Sequence, residues 1–131
     1  MAANLEPIYT LTPVVGCVAI ATANTGRDGS GTIGTVLTAG AAGTRISRIT
    51  IKATVTTTAG TIRLFIYTGS TYFLWREILT TAITVSATVA AFEYTLELFD
   101  ERALVLPTGY SLRASTEKAE NFNVTAEGGD Y

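Results

Sequence analysis

Apolar and polar side chains alternate along much of this chain, with the two-residue period of a β-strand that buries one face. The alternation is clearest over residues 45–55. Ile46 has the opposite parity to the apolar residues that follow it, which predicts a β-bulge near Ser47. In this segment we expect one face in the core and the other at the surface: Ile49, Ile51, Ala53 and Val55 against Arg48, Thr50, Lys52 and Thr54.

Similar short runs continue to the end of the chain, separated by turns rich in Gly, Asn, Asp and Pro. No long window keeps the 3.6-residue period of a helix. We therefore predict an all-β protein with eight or nine strands: residues 14–21, 32–38, 45–55, 62–67, 72–79, 91–99, 104–106 and 110–115, and a last strand that begins at Phe122.

The spacing of these strands and turns is typical of an antiparallel β-sandwich. We predict a single sandwich domain over residues 14–131, either jelly-roll-like or immunoglobulin-like. Residues 1–13 contain Pro7 and Pro13, which interrupt β ladders, and are predicted to form an extended arm. At 131 residues the chain is long enough to bury a core without disulfides or metal.

The composition of the chain argues against catalysis. It has no His, one Cys and one Trp, whereas 24 of its residues are Thr, which suits strands. Acid–base catalysis and metal binding depend on His, Cys and clustered carboxylates. Cys17 lies in an apolar run, so we expect a small buried side chain there. The protein is therefore predicted to be non-enzymatic, with no cofactor and no metal.

One pattern associated with dinucleotide binding occurs at residues 29–34, which read GSGTIG. Binding of a dinucleotide by this pattern requires a following helix and an acidic residue about 20 positions later. Thr and Val follow instead, and no acidic residue occurs after Asp28 before Glu77. We interpret the pattern as a loop between strands.

Charged residues make up only 15% of the chain. A net charge of −2 gives no attraction to nucleic acid, and the apolar run over residues 14–21 is too short to span a membrane. Between Asp28 and Glu77 every charged residue is basic, whereas nine acidic and three basic residues occur from Glu77 onward. We expect these charges to pair within the fold; head-to-tail contact between copies is the alternative.

Aromatic residues crowd the hairpin predicted over residues 62–79. Ile62, Leu64 and Ile66 are the expected core set of its first strand, which leaves Phe65 and Tyr67 facing outward. Aromatic side chains at a β surface stack on sugars or on protein partners. Alternation places aromatic residues on both faces of the hairpin, and a single core covers only one of these faces. We therefore predict an interface that includes Tyr67, Tyr72, Phe73, Trp75 and Arg76.

Four segments resemble small virion proteins of tailed bacteriophages: residues 61–67 (TIRLFIY), 74–78 (LWREI), 104–115 (LVLPTGYSLRAS) and 120–131 (ENFNVTAEGGDY). Several similar small β-sandwiches decorate or cement capsids. The resemblance implies a homo-oligomer, such as a trimer, that is made in the host cytoplasm and binds the major capsid protein or other virion proteins at the capsid surface. A tail, neck or baseplate component is the alternative within the virion. A carbohydrate-binding module that uses Tyr67, Tyr72 or Trp75 is the alternative from a different class.

Overall fold

The computed structural model describes residues 9–98 and 103–131, which form nine strands and no helix. The all-β prediction and the predicted number of strands are confirmed. The strands are β1 (Thr12–Ile20), β2 (Gly34–Thr38), β3 (Thr44–Ala53), β4 (Gly60–Tyr67), β5 (Tyr72–Thr80), β6 (Glu93–Glu97), β7 (Leu104–Leu106), β8 (Ser111–Thr116) and β9 (Phe122–Asp130).

The strands form two antiparallel sheets. Sheet A has the order β1-β9-β3-β6, with β7 also paired to β3, and sheet B has the order β2-β8-β4-β5. Each strand pair is nested inside the one before it: β1 with β9, β2 with β8, β3 with β6 and β7, and β4 with β5. A long hairpin rolled into two sheets in this way is a jelly roll. The immunoglobulin-like variant is wrong, because its first two strands share a sheet whereas β1 and β2 lie in different sheets.

The core lies between the sheets, and β3 contributes to it as predicted. Its pairing with β9 shifts register between Ile46 and Arg48, so the predicted bulge at Ser47 is present and returns Ile46 to the core. Val55, expected in the core, is 40% exposed because β3 ends at Ala53. The other fully buried apolar side chains of the two sheets include Ile49, Ile51, Ile62, Leu64, Leu112, Ala114, Val124 and Ala126.

β1 and β2 close one side of the sandwich through an unusually close approach. A Cβ atom at Gly16 would lie 2.2 Å from the carbonyl oxygen of Val36, so only glycine permits this contact. β1 begins at Thr12, so residues 12 and 13 of the predicted arm belong to sheet A. Residues 1–8 of that arm lie outside the described residues, as does residue 99 at the end of the predicted sixth strand.

Candidate interaction surface

The connection between β1 and β2, residues 21–33, folds over the outer face of sheet B. Asn24 anchors it at the centre. The backbone N–H of Asn24 donates to the carbonyl oxygen of Thr116 at 2.8 Å, and its side-chain Nδ2 donates to the carbonyl oxygens of Ser30 and Thr32 at 2.9 and 3.0 Å. The segment predicted as a loop is therefore held in place by hydrogen bonds to itself and to β8.

Phe65 is buried under this connection. Its parity correctly predicts the outer face of β4, but the expectation that it is exposed is wrong, since its exposed fraction is 0%. Gly29, with a φ of 92°, lies against Tyr72, and a Cβ there would be 2.5 Å from the Tyr72 Cβ. The Phe65 ring meets the Tyr72 ring edge to face, 6.1 Å between centroids. The connection thus packs through Gly29 on the outer face of sheet B, next to Tyr72, whose ring contacts Phe65.

Arg63 lies between the core residues Ile62 and Leu64 on β4, so its side chain points to the outer face of sheet B. It is nevertheless buried, with 1% of its surface exposed. Its guanidinium joins three elements: Nε lies 3.2 Å from Glu77 on β5, Nη2 lies 3.7 Å from Glu117 after β8, and Nη1 donates to the carbonyl oxygen of Asn24 at 3.3 Å. Arg27 in the connection also contacts Glu77, at 2.9 Å. The buried cation therefore links the β1–β2 connection to sheet B.

Glu77 makes the attachment of this connection sensitive to acid. The hydrogen bond from Arg27, assisted by the charges of Arg27 and Arg63, holds the pKa of Glu77 below its ordinary value. The resulting stabilisation is complete above the pKa that Glu77 has in the unfolded chain, and it is lost as the pH falls through the lower pKa of the folded chain.

We therefore expect the wild type to be more stable than Glu77→Gln at neutral pH, and the two to converge as the pH falls through the lowered pKa of Glu77 in the folded chain. Urea unfolding across this pH range measures the difference. Glu93→Gln on the outer face of sheet A is the control, with a change within about 0.5 kcal/mol. A Glu77→Gln difference that stays constant down to acid pH would contradict the expectation.

Tyr67 and Tyr72, two of the predicted interface residues, pack their rings against each other at the turn end of the β4–β5 hairpin. Their ring centroids are 4.3 Å apart, and the Arg113 guanidinium lies 4.2 Å from the Tyr67 centroid. Arg113 also donates to the Tyr72 hydroxyl and to Ser111 Oγ, both at 3.0 Å. The prediction missed Arg113 because it lies on β8, about 40 residues away, and only strand pairing brings it here.

The structure does not join Phe73, Trp75 and Arg76 to this pair of rings. Phe73 has the opposite strand parity to Tyr72 and is 56% exposed. The β4–β5 register shifts between Leu64 and Phe65, which leaves Trp75 as an extra residue that packs partly against the core. The Arg76 guanidinium lies 5.1 Å from the Trp75 ring centroid. Of the five residues, Phe73 is the aromatic that presents most surface to a partner.

In the part of the chain that the structure describes, large apolar side chains are exposed at three of the four sheet edges. Sequence reasoning missed them because it could not say which strands are edges. β5 is an edge of sheet B, whereas β1 and the β6–β7 side are the edges of sheet A. The side chains that these strands expose, with Leu11 just before β1, are Leu11, Val15, Phe73, Leu79, Tyr94 and Val105. Unpaired edge strands with apolar side chains are templates for association.

The outer face of sheet A carries the expected charge pairing. Arg48 lies 3.2 Å from Glu97 and 3.8 Å from Glu127, and Lys52 lies 3.8 Å from Glu93. The basic first half of the chain is therefore paired with the acidic second half, which confirms internal pairing.

The expectation that Cys17 is buried is wrong. Its thiol is exposed on the outer face of β1, beside Thr125. The apolar run around it forms an edge strand, of which only every second side chain faces the core.

One end of the sandwich has an apolar pocket of about 410 Å³, lined by Ala42, Gly43, Val105, Leu106, Pro107 and Tyr131. Within residues 9–98 and 103–131, no three His, Cys, Asp or Glu side chains are grouped so that they could hold a metal ion. No helix in the same part of the chain is long and apolar enough to cross a membrane. The chain matches no protein-family model, no curated protein and no solved structure.

Proposed function

We propose that this protein is a non-enzymatic structural component of a tailed-bacteriophage virion that decorates the capsid and stabilises the head. It binds the major capsid protein as a homo-oligomer, at the outer surface of the particle. The resemblance of four segments to small phage virion proteins supports this function. The jelly roll is compatible with it, since this architecture serves in viral capsid proteins, although it also serves in lectin domains and cupins.

The observation that carries the proposal is the set of exposed apolar side chains on the free edges of both sheets. An edge strand adds a strand from a neighbour through backbone hydrogen bonds, and its exposed side chains give that contact apolar area. Many weak contacts of this kind, repeated over a symmetric shell, sum to a firm attachment through avidity. Such a protein works passively, by covering boundaries between capsid subunits.

The aromatic rings favour a structural role over carbohydrate binding. A sugar needs the open face of a ring, but Tyr67 packs against the tilted Tyr72 ring and the Arg113 guanidinium, and Trp75 is flanked by Arg76 and the core. Phe73 is the exposed ring of the hairpin, and it lies on the free edge strand β5. Its position suits a protein neighbour that extends sheet B.

Replacing both Phe73 and Leu79 with Ser is expected to weaken binding to heads about tenfold or more, because central apolar contacts dominate interface energy. The two side chains are 56% and 76% exposed, so the variant stays folded. Binding is measured by cosedimentation of the purified chain with heads that lack it. Val89→Ser, a 45% exposed position between β5 and β6, is the matched control and binds like the wild type.

Copy number tests the proposal at the level of the particle. Quantitative mass spectrometry of purified virions is expected to find this chain in numbers comparable with the major capsid protein. A few copies per particle would instead indicate a tail, neck or baseplate component. Absence from virions, together with a glycan-array signal lost in Trp75→Ala, would replace the proposal with the carbohydrate-binding alternative.

A further inference from the structure

Two strongly exposed apolar side chains lie at the same end of the sandwich as the apolar pocket. Tyr9 is 77% exposed and Leu11 is 84% exposed. The backbone around them is held in place, since the Leu11 N–H donates to the carbonyl oxygen of Asp130 at 2.8 Å and Thr10 packs on Gly129. Tyr9 and Leu11 therefore form a fixed apolar projection, which we call the knob.

The pocket lies on the far side of the same end of sheet A, across β9 and β3 from the knob. Tyr131, which lines the pocket, follows Asp130, the residue that accepts the hydrogen bond from Leu11. Its other walls come from Gly43 before β3 and Val105 on β7. Adjacent strands are about 4.8 Å apart, so the knob and the pocket are separated by about two to three strand widths.

We propose that the knob of one molecule occupies the pocket of a second copy of this chain. The high exposure of Tyr9 and Leu11 shows that neither side chain fills the pocket of its own molecule. Among the residues that the structure describes, the pocket is lined by uncharged side chains, and the segment from Tyr9 to Pro13 also has none that is charged, so apolar surface meets apolar surface. One chain carries both halves of the contact, so copies of it can join to one another without another partner.

A second copy supplies both the projection and the pocket, because each chain carries Tyr9, Leu11 and the pocket residues. Whether two copies exchange knobs about a twofold axis or three close a ring, each knob fills a pocket and each pocket is filled. This inference deepens the homo-oligomer part of the proposed function and names the surface that forms it. Binding to heads is measured separately, with substitutions on β5 at the edge of sheet B. The proposed capsid binding and the proposed self-association can therefore fail independently.

Cysteine cross-linking of the full chain tests the contact directly. In a Cys17→Ser background, Tyr9→Cys combined with Val105→Cys is expected to form disulfides between molecules on mild oxidation, seen as covalent oligomers on non-reducing gels. The control pairs Tyr9→Cys with Val55→Cys. Val55 is similarly exposed but lies beyond the opposite end of β3, about 30 Å from Val105, and should give no cross-link. A disulfide confined to single molecules, or none, overturns the proposal.

Sedimentation velocity of chains without introduced cysteines provides the second measurement. The wild type is expected to associate reversibly with concentration, and Tyr9→Ser to raise the dissociation constant about tenfold. Val55→Ser should leave the dissociation constant unchanged. Both substituted positions are exposed, so loss of folding does not confuse the result. A wild type that stays monomeric at high concentration, or a Tyr9→Ser variant that associates like the wild type, also overturns the proposal.

Discussion

Ile51→Asp is expected to abolish folding of the isolated domain at room temperature. Ile51 is fully buried in the centre of β3, between Val124 of β9 and Tyr94 of β6. An Asp there removes a large apolar side chain from the core and places a carboxylate among the apolar side chains of the core cluster. The two effects together cost more than about 5 kcal/mol, which reaches the lower end of the stability of native domains, about 5–15 kcal/mol.

The neighbouring position provides the matched control, because consecutive strand residues face opposite sides. Thr50→Asp adds the same charge on the outer face of sheet A, flanked along β3 by Arg48 and Lys52. Its effect should stay within about 1 kcal/mol. Far-UV circular dichroism, size-exclusion chromatography and urea unfolding distinguish the two variants. A soluble, cooperatively folding Ile51→Asp would show that the face of β3 has been assigned wrongly.

β3 could be predicted from the sequence because its information is local. A period of two residues identifies the strand, and a single break in parity at Ile46 reveals the bulge, without knowledge of any partner strand. Both features are present in the structure. The number of strands and the sandwich class follow from the same local periodicity, together with the turn residues between the strands.

The choice between jelly roll and immunoglobulin-like topology could not be predicted in this way, since it depends on pairing between distant strands. β1 pairs with β9 across more than 100 residues, and periodicity carries no information about that partner. The free edges are unknown for the same reason. Leu79 and Val15 read as ordinary strand residues until the strand order shows that β5 and β1 have a neighbour on one side only.

The candidate interface was predicted in part, and its failures share one physical cause. Alternation correctly assigns Arg63 and Phe65 to the outer side of sheet B, but it assumes that an outer side faces water. The β1–β2 connection covers that side, so both residues are buried. Trp75 departs from simple alternation because of a bulge in the β4–β5 pairing. The apolar pattern of β5 has no break that could have predicted this bulge.

Removing the buried cation is expected to release the β1–β2 connection from sheet B. Arg63→Met keeps most of the length of the side chain but removes the guanidinium that contacts Glu77, Glu117 and the Asn24 carbonyl. The side chains of Glu77 and Glu117 are 35% and 30% exposed, so water partly solvates them after the cation is gone. We therefore expect the free energy of unfolding to fall by about 2–4 kcal/mol, somewhat less than the usual cost of removing one partner of a buried ion pair.

Arg63→Lys separates the role of charge from the role of geometry. A lysine ammonium is a compact charge that cannot replace the planar fork of arginine, which here reaches two carboxylates and a carbonyl at once. We expect a loss of stability close to that of Arg63→Met. Arg76→Met, at an exposed position of β5, is the control and changes stability by no more than about 1 kcal/mol, the size of its exposed contact with the Trp75 ring. Urea unfolding at neutral pH gives these differences.

Limited trypsin digestion adds a readout that is specific to the connection. Arg27 has an exposed side chain, but the backbone on either side is tied down through Asn24 and Gly29, which should protect it from cleavage in the wild type. Arg63→Met should be cut at Arg27 several-fold faster under conditions where the rest of the domain remains folded. Equal cleavage rates, combined with a loss of stability, would mean that Arg63 supports sheet B but does not hold the connection, which Asn24 would then anchor through Thr116 alone.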